Sequence, residues 1–145
     1  MVSDSGGSGG YDTFDHTADV GLRVWGADLT ELFEQAAEGL IELLVDPATV
    51  RRARSVQIEA AGEEVEDLLV SWLSEILFAF DAESLTPVAV EVTAFEEARA
   101  TGVLWGEDLD PARHQLRQHV KAVTYHNLAI RRVGGRFEVR IVFDV

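Results

Sequence analysis

DLTELFEQAAEGLIELL, residues 28–44, sets apolar side chains at Leu29, Leu32, Phe33, Ala36, Ala37, Leu40, Ile41 and Leu44. Alternating steps of three and one draw a single stripe down one side of an α-helix. The same steps recur in Val65, Leu68, Leu69, Trp72, Leu73, Ile76, Leu77 and Phe80. Two amphipathic helices follow, each with a flat apolar surface to cover. Asp28 is placed to accept the free amide at the third helical position while Glu31 reaches back, the reciprocal pattern that opens a helix. Pro47 stands just past the first stripe, where it cannot continue the backbone ladder.

The rest of the chain supplies the surface. Leu22–Trp25, Val56–Ala60, Val88–Thr93, Ala98–Trp105, Val120–His126, Leu128–Val133 and Phe137–Phe143 are rich in β-branched and aromatic residues. Gly134 and Gly135 between two such runs signal a tight hairpin, because both central positions of the favoured turn need positive φ. Hairpins pair strands antiparallel. The expected fold class is therefore α+β, with two long helices packed on largely antiparallel or mixed sheet.

A chain of 145 residues is the length of one domain. Its opening, MVSDSGGSGG, has neither a basic nor an apolar region and reads as a Gly/Ser tail over residues 1–10, leaving 11–145 as a single domain. No apolar run approaches the roughly 18 residues that span a bilayer, so no membrane is expected. The absence of cysteine excludes disulfides, thiolate metal sites and cysteine nucleophiles, and fits a cytoplasmic setting.

Net charge is −14, unevenly spread. Residues 111–143 carry seven Arg or Lys against one acid, and residues 1–110 carry five basic against 24 acidic residues. So acidic a chain should be repelled by nucleic acid unless folding gathers its basic third into one patch. The expectation is that those arginines pair with the acidic helices and that no stable nucleic-acid complex forms.

The segment FDHTADVG, residues 14–21, crowds Asp15, His16 and Asp19 together. Carboxylates at such spacing can converge on a hard cation, which takes oxygen ligands. Equally, Asp and Thr bond back to nearby amides and hold a turn between strands. The end of the chain bears on the choice. Val139, Ile141, Phe143 and Val145 fall on one side of a period-two strand, and Arg140, Val142 and Asp144 on the other. That sets Asp144 beside the terminal carboxylate, and two fixed negative groups want a cation or a basic side chain, such as Arg140 or Lys121. Lys121 itself, among apolar strand neighbours in HVKAVTYH, either snorkels, pairs with an acid or meets a partner. His114, His119 and His126 match no ordinary zinc spacing. No serine elbow, dinucleotide fingerprint or phosphate loop is present, so no catalytic residue can be named.

Taken in order, FDHTADVGLRVWG, DLTELFEQAAEGL, EDLLVSWLSEILFAFD, GEDLDPARH, VKAVTYHNL and the terminal VFDV resemble the archease family over about residues 11–145. The resemblance implies an α/β sandwich, likened to a domain of a redox-regulated heat-shock chaperone. It implies a cytoplasmic protein cofactor, not an enzyme, that activates the GTP-dependent RNA-splicing ligase of tRNA splicing and RNA repair. Such a protein promotes guanylation of the ligase and its multiple turnover. It also implies a divalent cation, calcium first and magnesium or manganese second, held at Asp19, Asp144 and Val145. Lys121 is implied in function by the same resemblance, and Asp15 and His16 of FDHTADVG are taken with it as candidate partner residues. Two other readings compete. One is a chaperone or specificity modulator of another RNA-modifying enzyme, such as a methyltransferase. The other is a stand-alone metal-dependent hydrolase, which lacks a nameable base.

Overall fold

The computed structural model describes residues 9–16 and 19–145, with Asp15 and His16 described as backbone alone. Eight strands and two helices follow in the order β1 (Gly10–His16), β2 (Asp19–Gly26), α1 (Leu29–Leu44), β3 (Arg54–Ala61), α2 (Val65–Glu83), β4 (Leu85–Glu96), β5 (Arg99–Asp108), β6 (Ala122–Val123), β7 (Arg131–Val133) and β8 (Arg136–Asp144). Every strand pairing described is antiparallel. The α+β class expected from periodicity is the fold observed. Gly10 already belongs to β1, one residue inside the stretch read as a tail.

Both helices form where the stripes lie. In α1 the side chain of Asp28 accepts the amide of Glu31 at 2.8 Å, and Glu31 reaches back to the amide of Ala27 at 2.7 Å, one residue further than an ordinary capping box. In α2 the pattern is reciprocal between Glu64 and Asp67. The helix then stops at Ser84, which adopts a left-handed conformation at φ 55°.

Strands β1, β2, β8 and β6 form one sheet in that order, with β7 also pairing β8; β3, β5 and β4 form a second. Helix α1 packs against β2 and β4, and α2 against β3 and β4, so the core lies between helices and sheets. Leu32, Phe33, Leu40, Leu68, Trp72 and Ile76 of the helices are wholly buried against Leu22, Ile141 and Phe143 of the first sheet and Leu104 of the second. Trp72 ties the helices together, because its indole N–H donates to the carbonyl of Phe33 at 3.0 Å. A buried tryptophan usually satisfies its N–H with such a partner.

Side chains alternate across a strand. Leu22, Val24, Val139, Ile141 and Phe143 turn one face of the first sheet to the core. Phe14, Gly21, Arg23, Glu138, Arg140, Val142 and Asp144 therefore share the opposite, outer face. Asp144 and its ladder partner Asp19 are on that outer face.

Candidate functional site at the end of the first sheet

Strands β2 and β8 are in register from Asp19↔Asp144 to Gly26↔Phe137. Directly opposed residues of an antiparallel pair have Cβ atoms about 4.5–5.5 Å apart on the same face. Asp19 and Asp144, 125 positions apart in the chain, thus form a cross-strand pair of acids. Asp19 is half-buried and Asp144 exposed.

The next strand brings Lys121. Its backbone N–H donates to the Asp144 carbonyl at 2.7 Å, and Ala122 pairs with Asp144 in the ladder. The side chain of Lys121 is exposed and enters no ion pair among the described residues. Beyond Asp144, Val145 is half-buried and packs against the core, so the last residue is held at the end of the sheet. On the other side His16 pairs with Asp19 and Asp15 with Val20; the side chains of Asp15 and His16 lie outside the described residues, as do residues 17 and 18.

Arg140 does not neutralise this acid pair. Its guanidinium lies 4.2 Å from the centroid of the Phe14 ring, on the outer face four residues before Asp144. The wider pairing of the basic third with the acidic helices is also limited. Among the described residues Arg117 alone does so, bonding Glu42 of α1 at 3.1 Å. Arg113 instead binds Glu107 of β5, and Arg136 binds Glu138 two residues along its own strand. Arg131 and Arg140 carry no ion pair among the described residues.

The donors at this end suit a hard cation in kind. Carboxylate oxygens are the ligands such ions take, and two acids opposed in a ladder repel unless a positive charge joins them. Among the described residues no group of three or more His, Cys, Asp or Glu is arranged to hold a metal, and His114, His119 and His126 do not form one. A set of Asp19, Asp144 and the terminal group of Val145 would therefore stay open to water, since calcium takes six to eight oxygens.

Elsewhere, sequence reasoning passed over Glu107, which is 6% exposed. Arg113 donates to its two oxygens at 2.6 and 2.8 Å, and His114 Nε2 lies 3.2 Å away. The amide of Asp110 donates to His114 Nδ1 at 3.0 Å, so Nε2 is the protonated nitrogen of the neutral ring. The Arg113 bond holds the Glu107 carboxyl down at about 2 against the opposing effect of burial. This network clamps residues 107–114 to the second sheet and is a structural device. All three residues lie within the single segment GEDLDPARH, residues 106–114, but its spacing carries no periodic signal that pairs Glu107 with Arg113 and His114.

Comparison with known proteins gives the architecture its relatives. Residues 11–145 match the profile of the Archease protein family. Protein archease of Methanopyrus kandleri is 36% identical over 138 residues, covering 93% of this chain and 99% of that protein. The solution structure of Methanobacterium thermoautotrophicum protein 1598 superposes with a TM-score of 0.78 at 31% identity, covering 94% of this chain and 99% of the other. The crystal structure of a Thermotoga maritima protein described as "an archease, possible chaperone" has the same fold, with a TM-score of 0.62 at 20% identity over 91% of this chain and 94% of that one.

Proposed function

This chain belongs to the archease family, and from that membership we propose that it is an accessory protein of a GTP-dependent RNA-splicing ligase, promoting the ligase's guanylation and multiple turnover without performing the ligation itself. The observation that supports the reading is the ladder pair Asp19↔Asp144 with Lys121 hydrogen-bonded alongside. Residues from the two ends of the domain and from the segment before β6 converge there.

In this reading Asp19, Asp144 and the terminal carboxylate of Val145 hold a divalent cation, calcium or alternatively magnesium or manganese. Bound there, the ion supplies a positive charge able to bridge phosphate oxygens. The chain's own residues do the presenting. Strands β2 and β8 fix the two acids so that little side-chain order is lost on docking. Lys121, exposed beside them, offers a cation to the partner's acidic or phosphate groups, with Asp15 and His16 at the same end of the sheet. Among the described residues no helix is long and apolar enough to cross a membrane.

The test is ligation with the ligase limiting. Asp19→Ala, Asp144→Ala and Lys121→Ala should each leave a single round of ligation intact and abolish the later rounds. Multiple turnover that survives both aspartate replacements would sink the metal-dependent reading. The competing role, a chaperone or specificity modulator of another RNA-modifying enzyme such as a methyltransferase, has only the "possible chaperone" of the Thermotoga maritima protein to favour it. It predicts a partner whose capture does not depend on Asp144.

A further inference from the structure

A cleft of about 590 Å³ opens on the outer face of the first sheet, lined among others by Phe14, Arg23, Asn127, Arg131, Glu138 and Arg140. It occurs in a chain of net charge −14, yet three arginines against one glutamate leave its lining with a surplus of positive charge. Local pairing does not remove the surplus. Arg23 is matched by Asp12 at 3.1 Å and Glu138 by Arg136 at 2.7 Å; Arg131 stands opposite Glu138 in the β7–β8 ladder but forms no ion pair with it, and Arg140 has no ion pair among the described residues.

The cleft is built, not incidental. Strands β6 and β7 both pair with β8, and residues 124–130 run between them. Thr124 anchors one end of that segment by donating its amide and hydroxyl to the carbonyl of Val142, at 3.0 and 2.8 Å. Ile130 anchors the other by donating its amide to Glu66 of α2 at 2.9 Å. Between these anchors Asn127 turns the chain at φ 52°, a left-handed conformation that asparagine tolerates in turns. The floor is equally set: Phe14 lies across Gly21, where a Cβ would overlap its ring, and Arg140 stacks on that ring.

We propose that this cleft binds a small organic phosphate, its phosphoryl group on Arg131 and Arg140 and its apolar body against Phe14. The volume is within the range of small-molecule sites, roughly 300–1,000 Å³. Guanidinium groups match phosphate oxygens in paired hydrogen bonds, and a dianion uses the surplus of charge better than a single carboxylate does. The acid pair does not cancel the attraction. Four residues of strand separate Arg140 from Asp144, about 13 Å, beyond the screening length of roughly 8 Å at physiological ionic strength. This site is independent of the role proposed for Asp19 and Asp144.

Phenyl phosphate titrated into the full chain, followed by backbone amide shifts, tests the assignment. Saturable shifts should be confined to residues 126–131, 138–142 and the neighbouring positions of β1 and β2. Inorganic phosphate should compete more weakly, and phenol should not bind. Arg131→Gln and Arg140→Gln should each weaken binding at least tenfold, while Arg54→Gln, whose arginine pairs with Asp108 on the other sheet, should not. Both cleft arginines are exposed, so these variants keep the core. No saturable shifts, shifts scattered over the surface, or undiminished binding in the two cleft variants would overturn the proposal.

Discussion

Asp19 opens β2, Asp144 closes β8, and the two stand directly opposite each other in the ladder. Like charges so placed destabilise a sheet by about 0.2–1 kcal/mol, and a bound cation reverses the sign. The wild-type chain should therefore melt at higher temperature when calcium is added. Asp144→Asn should lose that increment while being neutral or up to about 1 kcal/mol more stable in the presence of a chelator. Thermal melts of both chains, with calcium and with chelator, check this. An equal calcium increment in Asp144→Asn would separate the ion from this pair.

The indole of Trp72 gives a second prediction. Its hydrogen bond to Phe33 contributes about 1 kcal/mol, and shortening the ring to phenyl leaves a void among fully buried neighbours. Trp72→Phe should cost about 2 kcal/mol, which for a chain of this size lowers the melting temperature by roughly 4–8 °C. Calorimetry reads the shift directly, and a loss below 1 °C would mean that the bond between helices is not formed.

Much of the fold is written locally. The steps of three and one in α1 and α2, and the pair Gly134 (φ 59°) and Gly135 (φ 84°) between β7 and β8, are signals a few residues long, and the structure follows them. Where the signal depends on a distant partner, it fades. GYDTFDH becomes β1 because β2 offers it a ladder, although its polar residues carry little strand preference of their own. Conversely, Val120–His126 reads as a long strand but pairs only at Ala122–Val123, because β8 ends at Asp144 and the chain then turns through Asn127. The candidate site divides the same way. The alternation along β8 tells which side Asp144 takes, while its neighbour Asp19 is set by sheet order, which no local pattern encodes. The arginine cleft is less legible still, since only the folded chain distinguishes Arg131 and Arg140 from the paired Arg113, Arg117 and Arg136.

The close approach of Phe14 to Gly21 predicts a reversible strain. A methyl group at residue 21 would overlap the ring, and overpacking of this kind costs about 1–3 kcal/mol. Gly21→Ala should be destabilised by that amount, and adding Phe14→Ala should recover part of the loss. The urea midpoints of the two single variants and the double variant form a cycle. Strict additivity would show that the ring does not lie over Gly21 in solution.

Glu107 makes stability depend on acid. Hydrogen bonds from Arg113 foremost, then contact with His114, hold its carboxyl at about 2 in the folded chain, against an ordinary 4.5. Between those values the unfolded chain binds a proton that the folded chain does not, so stability rises with pH across this window. The contribution is whole above about 4.5 and is lost as pH falls through about 2. Other carboxylates titrate in the same range, so the informative quantity is the difference between the parent and Glu107→Gln. At neutral pH the variant should be the less stable of the two, since Arg113 loses a paired carboxylate and the replacement amide sits in a site 6% exposed. As pH falls from 4.5 the parent should lose stability faster, and the two should converge near pH 2. Urea midpoints measured from pH 2 to 6 decide the matter: curves that stay parallel over the whole range would mean that Glu107 titrates like an unpaired carboxylate.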